Sequence, residues 1–366
     1  MATMLLARSP RVSPLRPNGL RSTRLPPVLI AHRGASGYRP EHTLAAYALA
    51  IAQGADQIEP DVVATADGEL VARHENEISA TTDVAAHPEF TGRYTTKMID
   101  GVTRTGWFTE DFTLAELRTL RAVERLPLAR PGNTEHDGRH QIPTLAEVAA
   151  LAAASRTVDG RRIGICPETK HPSYFAGLGL PLEARLLDEL AAAGFVDRHD
   201  PAMIQSFETT NLRWLARQTS IPLLQLIEST GAPWDLASTG DPRRYADLVS
   251  PAGLRQISGY AEVLGVDKNL VIPRDATGRL LAPTPLAAQA HAVGLQLCGW
   301  TFRRENQFLP LQFRSSDDPY AVGDLEGELR RYLDAGLDSF FTDNPDIGVR
   351  ARLLPERTPA PLGLAG

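Results

Sequence analysis

From Val28 onward, short apolar runs alternate with helix-length stretches of mixed polarity, and four of those stretches end on a glycine just before the next apolar run. Thr43 to Gly54 leads into Gln57-Ile-Glu-Pro-Asp-Val-Val63, Pro181 to Gly194 into Ala202-Met-Ile-Gln-Ser206, Thr284 to Gly294 into Leu295-Gln-Leu-Cys-Gly-Trp300, and Gly327 to Gly336 into Ser339-Phe-Phe-Thr-Asp343. Glycine closes a helix in this way because it takes a left-handed backbone without a Cβ clash. Apolar runs at 28–32, 57–63, 162–168, 202–206, 223–227, 263–266, 295–300 and 338–342 predict eight strands, all but the sixth set apart by helix-length sequence. Parallel strands need such crossovers, so the pattern predicts an α/β fold, a TIM-type (β/α)8 barrel. The competing open, doubly wound sheet lacks direct support, since no Gly-x-Gly-x-x-Gly opens a helix after the first strand.

The alternation breaks between Glu75 and about His140, a segment rich in Thr, Gly, Asp and aromatic residues with one Thr-x-x-Glu capping box at Thr113 to Glu116. It predicts a small inserted subdomain, and a second capping box, Thr144 to Glu147, restarts the helices of the barrel. Just before the insertion, Asp67-Gly68 lies between two strand-like runs and predicts a two-residue hairpin turn. With Ala66 facing Glu69, His74 falls opposite Asp61. Because the insertion leaves the barrel right after His74, it is expected to overhang the pocket and select substrates. Residues 1–27 carry several arginines and prolines, no acid and no secretory apolar stretch. They are expected to form a disordered leader, with the barrel over 28–350 and a tail over 351–366, and the expected location is cytoplasmic, or exported if the true start lies elsewhere.

Composition narrows the function classes. The 366 residues contain no apolar stretch near the roughly 18 to 20 needed for a membrane span. A net charge of −6 supplies no basic field for a nucleic-acid backbone, so no nucleic-acid partner is expected. Two cysteines, Cys166 and Cys298, make neither a disulfide framework nor a zinc spacing, and each precedes a rim residue by two positions on its strand. Core packing is expected for both.

The chemistry gathers at strand ends. Residues i and i+2 of a strand share a face, so Glu59 and Asp61 point together, and carboxylates on that face are costly to bury unless something neutralises them. His74 joins them across the hairpin, while Glu168 and Lys170 share a face of the third strand. Three acids without thiolates favour one hard divalent ion, Ca2+ or Mg2+, over zinc. His32 and Arg33 close the first strand. Two imidazoles, an acidic nest, an arginine and a lysine form a kit for attack on a phosphodiester: cations neutralise the phosphoryl group, and the histidines exchange proton-donor and proton-acceptor roles.

The runs HRGASGYRPEHT at 32–43, IEPDV at 58–62, DGELVARHE at 67–75, ETKHPSYF at 168–175 and FTDNPD at 341–346 closely resemble the glycerophosphodiester phosphodiesterase family. The resemblance implies hydrolysis of a small-molecule glycerophosphodiester to sn-glycerol 3-phosphate and an alcohol on a TIM-type barrel. It implies His32 and His74 as the catalytic pair, Glu59, Asp61 and Glu168 as metal ligands, and Arg33 and Lys170 as phosphate contacts. The segments TTDV at 81–84 and DFTLAEL at 111–117 look most like the larger, calcium-using bacterial branch and its plant relatives. Where the family has His-Asp and then an arginine, this chain has His74-Glu75 and Ala80, which bears on supporting or leaving-group contacts. Glu41 is expected to orient a histidine or arginine, and Trp300, with Phe207 and Phe302, to form an apolar wall for substrate. Two other readings are a cyclising phospholipase-D-like lyase on the same barrel and a catalytically silent binding barrel.

Overall fold

A computed structural model describes residues 26–353. The expected leader, except its last two residues, and the tail from residue 354 lie outside the described residues. Eight strand positions form the barrel: Val28–His32, Gln57–Glu59 with Asp61–Ala64, Gly164–Ile165 with Glu168–Thr169, Ile204–Ser206, Leu223–Ile227, Val263–Asp267, Gln296–Phe302 and Ser339–Thr342. Each pairs in parallel with the next, and the last pairs with the first, which closes the ring. The second and third strands are each interrupted by a proline, Pro60 and Pro167, which lack the amide a ladder needs. Their register survives the interruption, with Gln57 beside Gly164 before it and Asp61 beside Glu168 after it.

Local chemistry starts the helices where the sequence predicts. The Thr43 side chain caps Leu44–Ala52, and full capping boxes at Thr113/Glu116 and Thr144/Glu147 start Leu114–Leu117 and Leu145–Ala154. The last helix, Pro345–Arg352, runs slightly past the expected end of the barrel. One core lies between strands and helices; a smaller plug of Ile30, Cys166, Met203, Leu224, Leu226, Val263, Cys298 and Phe341 fills the barrel interior. Both cysteines are free and buried in that plug, as expected. Among the described residues no helix is long and apolar enough to cross a membrane.

The hairpin register differs from the expected one by a residue. Val62 faces Ala72 and Ala64 faces Leu70, and Thr65 bonds Glu69 through both backbone and hydroxyl. The loop is therefore three residues long, Ala66-Asp67-Gly68. Gly68 N–H bonds Thr65 O at 3.0 Å and Gly68 takes φ 78°, the left-handed position that a type I turn with a bulge requires. Arg73, not His74, consequently sits opposite Asp61, its amide bonded to the Asp61 carbonyl at 3.0 Å. The strand ends at Ala72, so strict alternation no longer binds His74, and the chain bends to bring it to the cavity.

The insertion contains a two-stranded ribbon, Thr95–Ile99 with Val102–Gly106, and several short turns. None of the residues lining the main cavity lies between 75 and 140, and Asp100 of the insertion lines a smaller cavity that shares Glu168, Lys170, Phe207 and Glu228 with it. Asp100 bonds His171 and Glu110 bonds Tyr174 beside that smaller cavity, while Arg125 and Arg130 bond carboxylates behind the main cavity wall.

Candidate active site

Strand parity builds the site. Two residues beyond the plug the interior turns polar: Ile30 is followed by His32, Cys166 by Glu168, Met203 by Gln205 and Leu226 by Glu228. These polar residues, with Arg33, Glu59, His74, Lys170 and Trp300, line a cavity of about 530 Å³ at the C-terminal end of the barrel.

Glu59, Asp61 and Glu168 offer ligand oxygens within 4.8 Å of one another, all buried. Asp61 and Glu168 meet because their strands pair at that register. Glu59 accepts from the Arg33 amide at 2.7 Å and from Gln205 Nε2 at 3.1 Å. Glu168 accepts from Lys170 Nζ at 2.7 Å, and Asp61 Oδ2 meets His42 Nε2 at 2.9 Å. Asp61 Oδ1 is buried without a hydrogen bond. Burial, followed by the charges of Asp61 and Glu168, holds the Glu59 carboxyl well above its usual range. Burial likewise pushes Glu168 up to about 8, against the pull of Lys170. Asp61 feels the same burial, but Lys170, His74 and His42 together outweigh it and keep it well below the carboxylate range. Three acids this close must hold protons or a cation, and an all-oxygen set with one unbonded oxygen fits a hard metal ion.

The two histidines are held alike. His32 Nδ1 lies 2.6 Å from Asp343 Oδ1, and His74 Nδ1 lies 2.6 Å from Glu75 Oε1. A charged carboxylate only accepts, so the proton sits on Nδ1 and leaves Nε2 as the basic nitrogen. Burial, then the Arg33 charge, pulls His32 down to about 4 and His74 to about 3, so both rings are neutral at pH 7. Asp343 also accepts from Arg130 at 2.6 Å and Arg303 at 2.9 Å. Arg33 adopts φ 59° at the strand end, followed by Gly34, where a Cβ would come within 2.6 Å of the Ala46 backbone. That close approach seats the loop on the first helix and turns the Arg33 guanidinium toward Glu41, at 3.1 Å.

The glycerophosphoryl diester phosphodiesterase family matches residues 32–347. The chain belongs to this family. The Arabidopsis thaliana glycerophosphodiester phosphodiesterase GDPD6 is 35% identical over 330 residues, 87% of this chain and 83% of its own. The Treponema pallidum glycerophosphodiester phosphodiesterase is 27% identical over 349 residues, 88% of this chain and 91% of its own. An Oleispira antarctica phosphodiesterase, solved in complex with the product sn-glycerol-3-phosphate, shares the fold with TM-score 0.55 and 20% identity, over 89% of this chain and 96% of that one.

In this phosphodiesterase His32, Arg33, Glu59, His74, Glu168, Lys170, Phe207 and Trp300 line the cavity and Asp61 joins the acidic cluster, whereas Glu41 and Phe302 do neither. Glu41 lies behind, joining Arg33 to Arg125. Trp300 lines the cavity and meets the Phe207 ring edge-on at 5.7 Å. Phe302 does not reach it. A register shift between Gly299 and Phe302 breaks the alternation, and the fully buried Phe302 ring packs on Tyr332 and Phe340 instead. Sequence reasoning missed Asp343, His42, Gln205, Arg125 and Arg130. Asp343 follows directly on the last strand and Gln205 shares interior parity with Met203, so the strand-end rule could have found both. No local signal marks the two arginines.

Proposed function

We propose that this phosphodiesterase hydrolyses a glycerophosphodiester to sn-glycerol 3-phosphate and an alcohol, with His32 and His74 as its acid–base pair. The observation that carries the reading is two imidazoles, each fixed through Nδ1 by a carboxylate, on one cavity that also holds Arg33, Lys170 and a buried acidic cluster. A hydroxyl of the substrate glycerol attacks phosphorus while one histidine takes its proton at Nε2. The other, protonated from solvent before the attack, gives that proton from Nε2 to the departing alcohol oxygen as the bond from that oxygen to phosphorus breaks. Water then opens the cyclic phosphate, with the two histidines in reversed roles. Arg33 and Lys170 offset phosphoryl charge, and Trp300 with Phe207 forms the apolar side against which the alcohol lies.

Glu59, Asp61 and Glu168 would hold one divalent ion, which when bound supplies positive charge to the phosphoryl oxygens. Three protein carboxylates favour Ca2+ over Mg2+, which commonly keeps several waters and takes one or two carboxylates. The test is a panel of glycerophosphodiesters followed by phosphorus NMR, with and without chelator. Glycerol 3-phosphate as the end product, lost on chelation and restored by Ca2+, is expected; cyclic phosphate that accumulates without opening would overturn the hydrolytic reading.

A further inference from the structure

The insertion sends one short segment behind both histidines. Arg125 forks between two carboxylates: its Nη2 donates to Glu75 Oε2 at 2.7 Å and to Glu41 Oε1 at 2.7 Å, with further bonds from Nη1 to Glu75 and from Nε to Glu41. Five residues on, Arg130 donates from Nη2 to Asp343 Oδ2 at 2.6 Å and from Nε to Glu305 at 2.7 Å, and its Nη1 bonds the Ser36 carbonyl at 2.9 Å. The segment is itself locked, since Asn133 Nδ2 bonds both Glu124 Oε2 and the Ser36 carbonyl. Glu75 and Asp343 are the carboxylates that hold His74 and His32 by Nδ1. Neither arginine lines the cavity.

The geometry points to Arg125 and Arg130 as paired positioning residues: through Glu75 and Asp343, one stretch of the insertion sets the orientation of both histidines. The inference rests on the assignment of His32 and His74 as the acid–base pair. Its physical basis is that a carboxylate free to swing lets its imidazole swing, and a displacement on the order of 1 Å can cost about 100-fold in rate. Glu75 side-chain exposure is 29% and, besides His74, only Arg125 holds it among the described residues, whereas Asp343 also has Arg303. Arg125 should therefore matter more than Arg130. The arrangement also gives an arginine to the His74 side although Ala80 stands where the sequence resemblance leads one to expect it.

The test is steady-state kinetics of the full chain on glycerophosphocholine at saturating Ca2+, with circular dichroism to verify folding. Arg125→Met should lower kcat about 10- to 100-fold with KM within about twofold, and Arg130→Lys should lower it less. Arg125→Lys keeps the charge but cannot fork to both carboxylates, and it carries the same test if the Met variant does not fold. In a Glu75→Gln background, Arg125→Met should add no more than about threefold, because both act through one contact. Arg93→Met, which breaks the insertion's ion pair with Glu116 away from both histidines, should stay within about twofold of the parent. The inference is overturned if the folded Arg125 variants keep the parent kcat, or if only KM moves, which would place the effect on Arg33 through Glu41. Multiplying losses in the double variant, or an equal loss in Arg93→Met, would overturn it too. If His32→Ala and His74→Ala themselves leave kcat intact, the acid–base assignment has failed instead.

Discussion

The barrel interior has two layers built by the same strands and the same alternation, yet they obey opposite rules. The lower layer, Ile30, Cys166, Met203, Leu224 and Cys298, is buried and apolar. The upper layer, two residues along, holds His32, Glu168, Gln205 and Trp300, with Glu59 and Asp61 beside them. Below, side chains satisfy one another by contact alone. Above, burial raises Glu59 and Glu168 against their charged forms and lowers both histidines, so a cation beside the acids would take the place of the protons they otherwise hold. Depth along the strand, rather than residue periodicity, separates stability from chemistry.

The sharpest way to break that contrast is to remove charge from the upper layer. Glu59→Gln, Asp61→Asn and Glu168→Gln are each expected to abolish turnover while circular dichroism stays that of the parent, because a cation loses a ligand but the crowded acids lose repulsion. Full activity of metal-stripped protein in excess chelator would sink this expectation. Next come His32→Ala and His74→Ala, each lowering kcat by at least about 100-fold with little change in KM. A variant that loses mainly affinity would make that histidine a binding residue.

A smaller effect concerns pH. Glu168 has a folded value of about 8 against an ordinary 4.5, so its protonated form favours the folded, metal-free protein. That contribution is complete below about pH 4.5 and is lost as pH rises through 8, and Glu59 shifts in the same direction. A bound cation replaces the proton. The gain in Tm on adding Ca2+ should therefore grow between about pH 6 and pH 8.5; a gain that shrinks over this range, measured by calorimetry, would contradict it. The smallest effect on activity belongs to the lower layer. Leu224→Ala should cost about 2 to 5 kcal/mol in denaturant unfolding yet leave kcat within about twofold at low temperature. A large loss of kcat in that folded variant would mean the two layers are not separable.

Much of the fold was legible because it is written in short-range terms. Helix caps at Thr43, Thr113 and Thr144, helix-closing glycines and apolar runs each depend on residues within a turn or two, and all recur in the structure. Parity then placed Glu59, Asp61, Glu168 and Lys170 on one interior face, and strand pairing brought the three acids together. The errors came where one residue more or less changes parity. Thr65 and Gly68 choose a three-residue loop over a two-residue one, and a bulge after Gly299 turns Phe302 away from the cavity.

What only the tertiary structure decided is the support behind the chemistry. Arg130 meets Asp343 across 213 positions of sequence, and Arg125 meets Glu41 across 84. Such pairings have no period and no local propensity, since an arginine's long stem can reach a carboxylate from many backbone positions. The sequence by itself determined which residue types could carry out the reaction and the strands that present them. Which charges neutralise which, and hence how the insertion's arginines reach the carboxylates behind both histidines, depends on distances that exist only once the barrel has closed.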